Sequence, residues 1–415
     1  MRSLRIGFLL GMRQIQRASL WTNILIVFVM ALTFLNLIAV SGVLVGLITG
    51  AERAVRAESL GDIIITERDD QNNILETESI IRQIKTYPEI ETYAVRYIGA
   101  GRLEANYKER RDLSGERDIA QVTVTGIDPI QEDTMSHLSD NMLEGEYLDP
   151  NEEGYILIGY YYLQEASDKF GDIFDSLSNI KPGVTVRMTV GDISKEFIVK
   201  GIVQSKVDEV SLNTYITEKE FRRLFGRIDR NADRITIRVA DNVSEDSVKA
   251  TLIESGLGQY AKIQTFEEGK PKFITDIKNT MNLLGTFIGS IGIIVASITI
   301  FIIIFINALS RRSQIGILKG IGIERKAIEI AYVLQAAFYA LAGSACGALL
   351  TYGFLLGYFE RNPIKFPFSD GILVAPPDET FLRFLVLFAV TLIAGFLPAW
   401  MIVRQNTLNS ILGRK

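Results

Sequence analysis

Four runs of this chain contain no Asp, Glu, Lys or Arg and are rich in Leu, Ile, Val and Phe. A helix of about 20 apolar residues crosses the roughly 30 Å hydrocarbon core of a bilayer. Within that core, only helices and closed barrels satisfy every backbone hydrogen bond. The pattern therefore predicts four transmembrane helices, at residues 21–50, 279–310, 330–358 and 384–403.

The first two uncharged runs are longer than a single span requires. They contain 34 and 32 residues, which as helix extend about 50 Å at a rise of 1.5 Å per residue. Tilting does not absorb such an excess over the hydrocarbon thickness. Since these two runs flank the long charged segment of the chain, we expect both helices to leave the membrane as a stalk.

The charged segment, residues 51–278, shows the same order of strand, helix and strand at each of its ends. Two such units pair naturally into one compact sheet with helices on one face. A basal part is therefore predicted from residues 51–110 and 207–278. Its elements, assigned from the periodicity of apolar positions, are Asp62–Thr66, Glu78–Tyr87 and Thr92–Leu103, and then Arg234–Ala240, Ser244–Ser255 and Tyr260–Phe266.

The middle of the charged segment, residues 111–206, is predicted to be an inserted subdomain. Four stretches in it alternate apolar and polar residues, as antiparallel strands of a half-buried sheet do. They are Gln121–Ile127, Tyr155–Ile158, Val184–Val190 and Lys195–Val203. The fold class expected is an α-helical membrane protein with four transmembrane helices and a large α+β domain between the first and second.

Basic residues are distributed unevenly around the predicted spans. The first 20 residues carry four Arg and no acid, residues 311–329 carry five basic residues against two acids, and residues 360–383 carry three against four. Cytoplasmic segments carry the excess of Lys and Arg. We therefore expect an inner (plasma) membrane protein with both termini, including the tail 404–415, and residues 311–329 in the cytoplasm. Residues 51–278 and the proline-rich loop 359–383 then lie outside.

The N-terminal residues 1–20 place Leu4, Phe8, Leu9, Met12 and Ile15 at roughly helical spacing. This predicts an amphipathic helix in the inner membrane interface. The alternative is a plain basic leader that only orients the protein. The first run is about twice as long as the core of a secretion signal and lacks a small-residue cleavage site after it, so we expect it to be retained.

Charge and residue counts exclude several kinds of function. Residues 51–278 hold 29 basic and 43 acidic residues, a net charge of −14, which argues against nucleic acid as a partner. The single His137 and single Cys346 are too few for a zinc cluster. Cys346 lies in the third span, so the outer domain has no disulfide. Neither a phosphate-binding loop nor a catalytic Ser, His and Asp arrangement is recognisable, so we expect no enzyme activity, cofactor or metal in this chain.

A short basic segment, residues 311–329, joins the second and third spans. We call it the connecting segment. It predicts a helical elbow on the inner membrane face with Ile315, Leu318 and Ile321 on one side. Glycines there let another protein approach closely; the alternative is a loop whose charges only fix topology. The residues predicted to contact a partner are Arg311, Arg312, Gly316, Leu318, Lys319, Gly320, Gly322 and Arg325.

Glycines four residues apart recur in the first three spans. Such spacing allows helix backbones to approach closely where lipid removes the hydrophobic drive for association. We expect packing within the chain, with a subunit interface as the alternative. The residues are Gly42, Gly46, Gly285, Gly289, Gly343 and Gly347, and the spacing recurs at Gly353 and Gly357.

The connecting segment and the start of the third span, RRSQIGILKGIGIERKAIEIAYVLQ, resemble the cytoplasmic loop of the MacB/LolC/FtsX class of ABC transporter permeases. The stretches GIDPIQEDTMSHLSDNMLEGEYL, YILIG, VTVRMTV and FIVKGIV are similar to the outer core domain of MacB-like and LolC-like members. The closing PAWMIVRQNTLNSIL also resembles the family pattern. The chain departs from it at Gln314, where the family usually has Glu, and at Asn406 and Thr407, where a proline is usual.

This resemblance implies a permease that works as a homo- or heterodimer with two copies of a separate ATPase, which binds ATP and Mg²⁺. It implies a coupling helix in the connecting segment that docks on the ATPase. It also implies lipoprotein, peptide or drug-like cargo and a possible periplasmic or extracellular partner. One alternative is an FtsX-like membrane regulator of a cell-wall hydrolase that transports nothing; another is a receptor without an ATPase.

Overall fold

The structure, a computed structural model, describes residues 2–17, 19–108, 117–171, 174–362, 364–366, 369–371 and 373–404. The predicted tail beyond 404, with Asn406 and Thr407, lies outside the described residues, as do Pro363 and Pro367 of the outer loop. The chain forms two compact units. We call them the helical unit (residues 1–49, 275–366 and 370–415) and the sheet unit (residues 50–274 with 367–369).

The helices are numbered in chain order. They are α1 Arg2–Arg17, α2 Leu20–Val55, α3 Thr77–Ile84, α4 Pro129–Ser136, α5 Gln164–Phe170, α6 Asp208–Ser211, α7 Glu218–Leu224, α8 Glu245–Glu254, α9 Phe266–Gly269, α10 Lys272–Ser310, α11 Arg312–Gly320, α12 Arg325–Leu350, α13 Leu356–Arg361 and α14 Pro377–Val403. Two π-helical turns, Arg56–Leu60 and Thr351–Leu355, continue α2 and α12. Short 3₁₀ turns occupy Leu138–Asn141, Tyr160–Tyr162 and Leu257–Gln259.

The strands are numbered in the same way. They are β1 Ile63–Thr66, β2 Ile90–Glu104, β3 Ile119–Ile127, β4 Met142–Gly145, β5 Tyr155–Gly159, β6 Thr185–Val190, β7 Ile193–Val203, β8 Asn213–Thr217, β9 Arg234–Val239, β10 Lys262–Thr265, β11 Ile364–Phe366 and β12 Ser369–Gly371. The last two pair as a small separate sheet within the outer loop, and the other ten form one sheet.

Within the described residues, four helical stretches are long and apolar enough to cross a membrane, as expected. They are Leu20–Leu60, Lys272–Ser310, Arg325–Arg361 and Pro377–Val403. The first two contain 41 and 39 residues, so each exceeds the hydrocarbon thickness at 1.5 Å per residue. The fourth starts at Pro377, earlier than the uncharged run, because proline is well tolerated in the first turn of a helix.

The helical unit has an apolar core shared by α2, α10, α12 and α14. Phe34, Ile304, Tyr339 and Leu387 are fully buried in it. Helix α1 packs on α12, and its predicted apolar residues Leu4, Phe8, Leu9 and Met12 are exposed on its surface. An apolar exposed face is the arrangement expected of a helix in a membrane interface.

Strands from the two ends of the charged segment lie side by side in the sheet. Its strands run in the order β10, β1, β9, β2 with every neighbouring pair antiparallel. Ile63 of β1 lies opposite Thr265 of β10 on one side and Ile237 of β9 on the other. Helices α3 and α8 both bury apolar residues in the core cluster that contains Ile63 and Ile65, so both cover the same face.

The middle strands differ from the antiparallel sheet that their alternation predicted. Strand β2 continues beyond the basal sheet, and the pairs β2–β3, β3–β8, β8–β5, β5–β7, β7–β6 and β6–β2 close a ring of six strands. Two of these pairs, β3–β8 and β5–β7, are parallel. The prediction of antiparallel pairing was wrong there because alternation reports burial on one face, while long crossover connections allow parallel pairing.

The predicted boundary of the inserted subdomain also divides elements that pair in the structure. Strand β8 lies in the sequence range assigned to the basal part, yet it pairs with β3 and β5 of the ring. Residues Arg102 to Glu104 of β2, again assigned to the basal part, pair with both β3 and β6. The ring and the basal sheet are therefore joined through a single long strand.

His137 is exposed and lies one residue beyond the end of α4. Its φ of 51° places it in the left-handed region, and its backbone N–H donates to the carbonyl of Asp133 at 2.9 Å. His137 therefore ends this helix and does not form part of it. Among the described residues, no group of three or more His, Cys, Asp or Glu is placed to hold a metal ion.

Candidate coupling site

The connecting segment folds as a short helix followed by a tight turn. Helix α11 ends at Gly320, and Gly322 has a φ of 91°, a conformation that L residues with a side chain rarely adopt. The N–H of Gly322 donates to the carbonyl of Lys319, and the N–H of Ile323 donates to that of Leu318. These bonds satisfy carbonyls at the helix end, so Gly322 is needed for the turn itself, whatever approaches it.

One side of α11 faces the core of the helical unit. Ile315 is 3% exposed and Gly316 is also buried, while Leu318 is half-buried against the same cluster. The Nζ of Lys319 donates to the carbonyl of Val403, at the end of α14, at 3.0 Å. Partial burial, with the nearby positive charge of Arg325 as a smaller cause, lowers the pKa of Lys319.

The opposite side of α11 is exposed and partly apolar. Ile317 is 54% exposed and Ile321 is 71% exposed, and no atom lies within 4 Å of a Cβ built on Gly320. Gln314 and Arg325 are exposed as well. We call Gln314, Ile317, Gly320 and Ile321 the outer face of α11. Ile321, the residue that directly follows α11, is four positions after Ile317, so the two side chains lie on the same side.

The structure divides the residues predicted to contact a partner into two groups. Gly320, Gly322 and Arg325 are exposed, whereas Gly316, Leu318 and Lys319 face the chain's own core. Arg311 and Arg312 are half-buried. The expectation that Ile321 shares a side with Ile315 was wrong: at about 100° per residue, six positions turn the helix by 600°, which leaves the two side chains about 120° apart.

Helix α1 packs closely on α12 through two glycines that the sequence analysis did not identify as packing residues. A Cβ on Gly7 would lie 2.8 Å from the carbonyl oxygen of Ala327, and one on Gly11 would lie 2.9 Å from Leu334. Both neighbours belong to α12. The spacing of four residues was a usable signal, since it is the same close-packing pattern found in the spans.

A buried polar network also links α1, α2 and α12. The hydroxyl of Tyr339 donates to Oδ1 of Asn23 at 2.7 Å and accepts from Gln335 at 3.1 Å. The side-chain amide of Asn23 donates to the carbonyl of Ile15 at 2.9 Å. Hydrogen bonds between polar side chains hold helices in register in an apolar environment, so these three helices are fixed relative to one another.

The glycines predicted to mediate helix packing have different neighbours. A Cβ on Gly343 would lie 2.3 Å from the Cβ of Met30, and one on Gly347 would lie 3.0 Å from the carbonyl of Ala31. The glycines of α10 face α2 less closely, Gly285 at 3.2 Å from Ser41 and Gly289 at 3.1 Å from Leu37. A Cβ on Gly42 would lie 2.5 Å from the carbonyl oxygen of Val374, and Gly46 is buried. No atom lies within 4 Å of a Cβ built on Gly353 or Gly357.

We expect Gly343→Ala to lower the stability of the helical unit and Gly353→Ala to leave it unchanged or raise it. Both changes favour helix by about 1 kcal/mol. At Gly343 the new methyl group collides with Met30, and overpacking of this kind costs about 1–3 kcal/mol. Thermal unfolding of the purified chain in detergent measures both variants, and equal midpoints would contradict close packing of α2 and α12.

The sheet unit contains a buried ion pair next to the π-helical turn that ends α2. Arg96 donates from Nε and Nη2 to the two carboxylate oxygens of Glu132, at 2.9 and 2.6 Å, and from Nη1 to the carbonyl of Ser59 in the turn. Burial alone would lower the pKa of Arg96, but the adjacent Glu132 carboxylate raises it above its ordinary value. Arg96 therefore stays charged, and its bonds to Glu132 and Ser59 hold the turn against β2 and α4.

Further polar contacts hold the same turn. The hydroxyl of Ser59 donates to Oε2 of Glu209 at 2.8 Å, and Glu209 also pairs with Arg234 of β9. Arg238 of β9 donates to the carbonyl of Ala57 at 3.0 Å. Although burial favours the neutral acid, Arg234 lowers the pKa of Glu209. The end of α2 is thus bound to the centre of the sheet unit by charged groups from several elements.

Comparisons with known proteins agree on one family. Residues 286–407 match the family described as FtsX-like permease C-terminal. This range contains the end of α10, the connecting segment, α12 and α14. The C-terminal part of the chain therefore contains an FtsX-like permease domain, and the chain is similar to ABC transporter permeases of the MacB and LolC type. The four long apolar helices of the described residues have the length and composition of membrane spans.

Two curated relatives and one solved structure illustrate how far the similarity extends. The macrolide export ATP-binding/permease protein MacB of Burkholderia pseudomallei (strain 1710b) is 25% identical over 224 residues, which cover 52% of this chain and 33% of MacB. The lipoprotein-releasing system transmembrane protein LolC of Neisseria meningitidis serogroup B (strain MC58) is 24% identical over 264 residues, 60% of this chain and 61% of LolC. The chain thus spans about a third of the first relative and under two thirds of the second.

The solved structure is the periplasmic region of MacB from Actinobacillus actinomycetemcomitans. The superposition covers 51% of the present chain and 92% of the MacB periplasmic region, with 16% sequence identity and a TM-score of 0.35.

Proposed function

We propose that this permease transmits ATP-driven motion from a separate ATPase to an extracytoplasmic domain, for export or extraction of lipoprotein, peptide or drug-like cargo. The observation that carries the proposal is the outer face of α11. Two isoleucines, both more than half exposed, are presented on a helix whose other side is packed in the core. An exposed apolar patch rimmed by charged residues is typical of a protein-binding surface.

The orientation is inferred from the basic residues. The N-terminal helix and the connecting segment carry the excess of Lys and Arg, which supports a cytoplasmic location for both and an outer location for the sheet unit. The protein would lie in the inner (plasma) membrane. ATP and Mg²⁺ would bind to the ATPase, and this permease would contribute no catalytic residue. Two permease copies, identical or different, would work with two ATPase copies.

Transmission through the permease requires a firm link between α11 and the spans. Ile315 is buried in the core that α2, α10, α12 and α14 share, and Lys319 is bonded to the end of α14. A displacement of α11 therefore displaces the spans rather than deforming a loop. Helix α2 continues into the π-helical turn that Arg96 and Glu209 hold, and in this proposal α2 is the element that carries movement to the sheet unit. Coupling by rigid elements is a known form of conformational transmission.

Affinity purification of the tagged permease from its own cells tests the proposal. We expect an ABC-type ATPase to co-purify in roughly equal amount, and its ATP turnover to depend on the permease. Purification of the intact permease with no ATPase, in mild detergent and after cross-linking, would favour the receptor alternative and contradict the proposal.

A further inference from the structure

A cavity of about 240 Å³ lies in the sheet unit, between α5 and α6. Among the described residues its aromatic lining consists of Tyr161, Phe170 and Phe174, and Asp208 supplies a carboxylate. We call these four residues the aromatic cluster. The cavity is smaller than the roughly 300–1,000 Å³ that drug-sized ligands occupy. It therefore suits a single small group.

The rings of Phe170 and Phe174 both pack against the ring of Tyr161 at tilted angles. The ring of Tyr161 is 5.9 Å from that of Phe170, at an interplanar angle of 71°, and 5.7 Å from that of Phe174, at 42°. Tilted rings at these distances present faces and edges to a common space. Phe170 and Phe174 are 39% and 42% exposed, which is costly for two phenyl groups that nothing else in the described part of the sheet unit covers.

The polar groups of the cluster favour a cation over a neutral apolar group. The hydroxyl of Tyr161 donates to Oδ1 of Asp208 at 2.9 Å, which fixes the carboxylate beside the rings. Burial, and then the negative charge of Asp208, raise the pKa of Tyr161 to about 12. The Nζ of Lys169, in the neighbouring position of α5, lies 5.2 Å from the centre of the Phe170 ring. The ring of Phe170 thus lies within cation–π distance of a positive charge of the chain itself.

We propose that the aromatic cluster binds an alkylammonium group of a ligand. Aromatic faces attract cations within about 6 Å, and cages of several rings are used to recognise quaternary ammonium groups. A carboxylate at the edge of the cavity adds charge complementarity without filling the space. The net charge of −14 on residues 51–278 raises the local concentration of cations around this surface. The inference concerns the sheet unit alone and does not depend on an ATPase.

The test compares choline with its neutral isostere 3,3-dimethylbutan-1-ol on the full chain, purified in a maltoside detergent without nucleotide. Saturation-transfer NMR, with titration of each compound, gives the two affinities. We expect choline to bind at least about tenfold more tightly, a factor that corresponds to about 1.4 kcal/mol. Equal binding of the two compounds would show an apolar pocket only, and binding of neither would show no site; both outcomes overturn the proposal.

Three variants locate the binding. Phe174→Leu keeps an apolar side chain and removes a ring, and Asp208→Asn keeps the size and removes the charge; we expect each to weaken choline binding by about five- to tenfold. Glu165→Gln removes an equal charge from the exposed surface of α5, outside the cavity lining, and is expected to change binding less than about twofold. Equal losses in Asp208→Asn and Glu165→Gln would reduce the effect to general surface charge and contradict the assignment.

Discussion

The double variant Ile317→Asp/Ile321→Asp is expected to lose ATPase binding by at least about 100-fold while it still inserts and folds. Burial of an isoleucine side chain contributes about 1.5–3 kcal/mol, and both side chains are more than half exposed in the free permease. A carboxylate forced into the same interface adds a desolvation cost. Every 1.4 kcal/mol is a factor of ten in affinity, so two such positions exceed the stated loss. Titration of the ATPase onto the purified permease measures it.

The matched control is Ile228→Asp, which introduces the same charge at an isoleucine of the sheet unit that is 98% exposed. It is expected to bind the ATPase like the wild type. Variants of Gly316, Leu318 or Lys319 are unsuitable because these residues contact the core of the helical unit. If Ile317→Asp/Ile321→Asp binds the ATPase with unchanged affinity, the outer face of α11 is not the docking surface.

Removal of one partner of the buried ion pair is expected to destabilise the sheet unit strongly. Glu132→Ala leaves the guanidinium of Arg96, which is 6% exposed as a residue, without its carboxylate. The loss of one partner from a buried pair costs about 3–5 kcal/mol. This corresponds to roughly two to four orders of magnitude in the exchange rate of amides that open with the core. Hydrogen–deuterium exchange of β2 and α4 in the full chain measures this loss.

The double variant Arg96→Met/Glu132→Leu is the control for that loss. It removes both charges and keeps the volume, and such replacements of a buried pair are often neutral or stabilising. We expect its exchange rates in β2 to stay near those of the wild type. Exchange in Glu132→Ala as slow as in the wild type would mean that the pair does not hold β2 and α4 together.

The spans and the basal sheet could be predicted because each depends on a signal that survives in one sequence. A run without charge must lie in an apolar medium, whichever helices surround it. The strands at the two ends of the charged segment alternate because one face of each is buried. The predicted spans begin too late because they were drawn from the uncharged runs alone. The helices extend further, over Lys272 to Lys278 and over Pro377 to Arg383, where charged residues can lie outside the hydrocarbon.

The ring and the outer face of α11 could not be predicted in the same way. Ring closure depends on β6 pairing with residues Arg102 to Glu104 of β2, and alternation does not specify the partner of a strand. Both sides of α11 contain isoleucine and glycine, so composition does not show which side is buried. Two hydrogen-bonded contacts, Lys319 to Val403 and the turn at Gly322, fix its orientation. A glycine just beyond a helix signals where the helix ends, but it does not show which side of the helix is buried.

Labelling of single cysteines tests most directly whether α11 and the sheet unit lie on opposite sides of the membrane. In a Cys346→Ser background, Ile321→Cys and Ile228→Cys each place one thiol at an exposed position. With a membrane-impermeant maleimide on intact cells, or on spheroplasts where an outer membrane is present, we expect Ile228→Cys to react and Ile321→Cys to react only after permeabilisation. Equal labelling of both before permeabilisation would place them on one side and contradict transmission across the membrane.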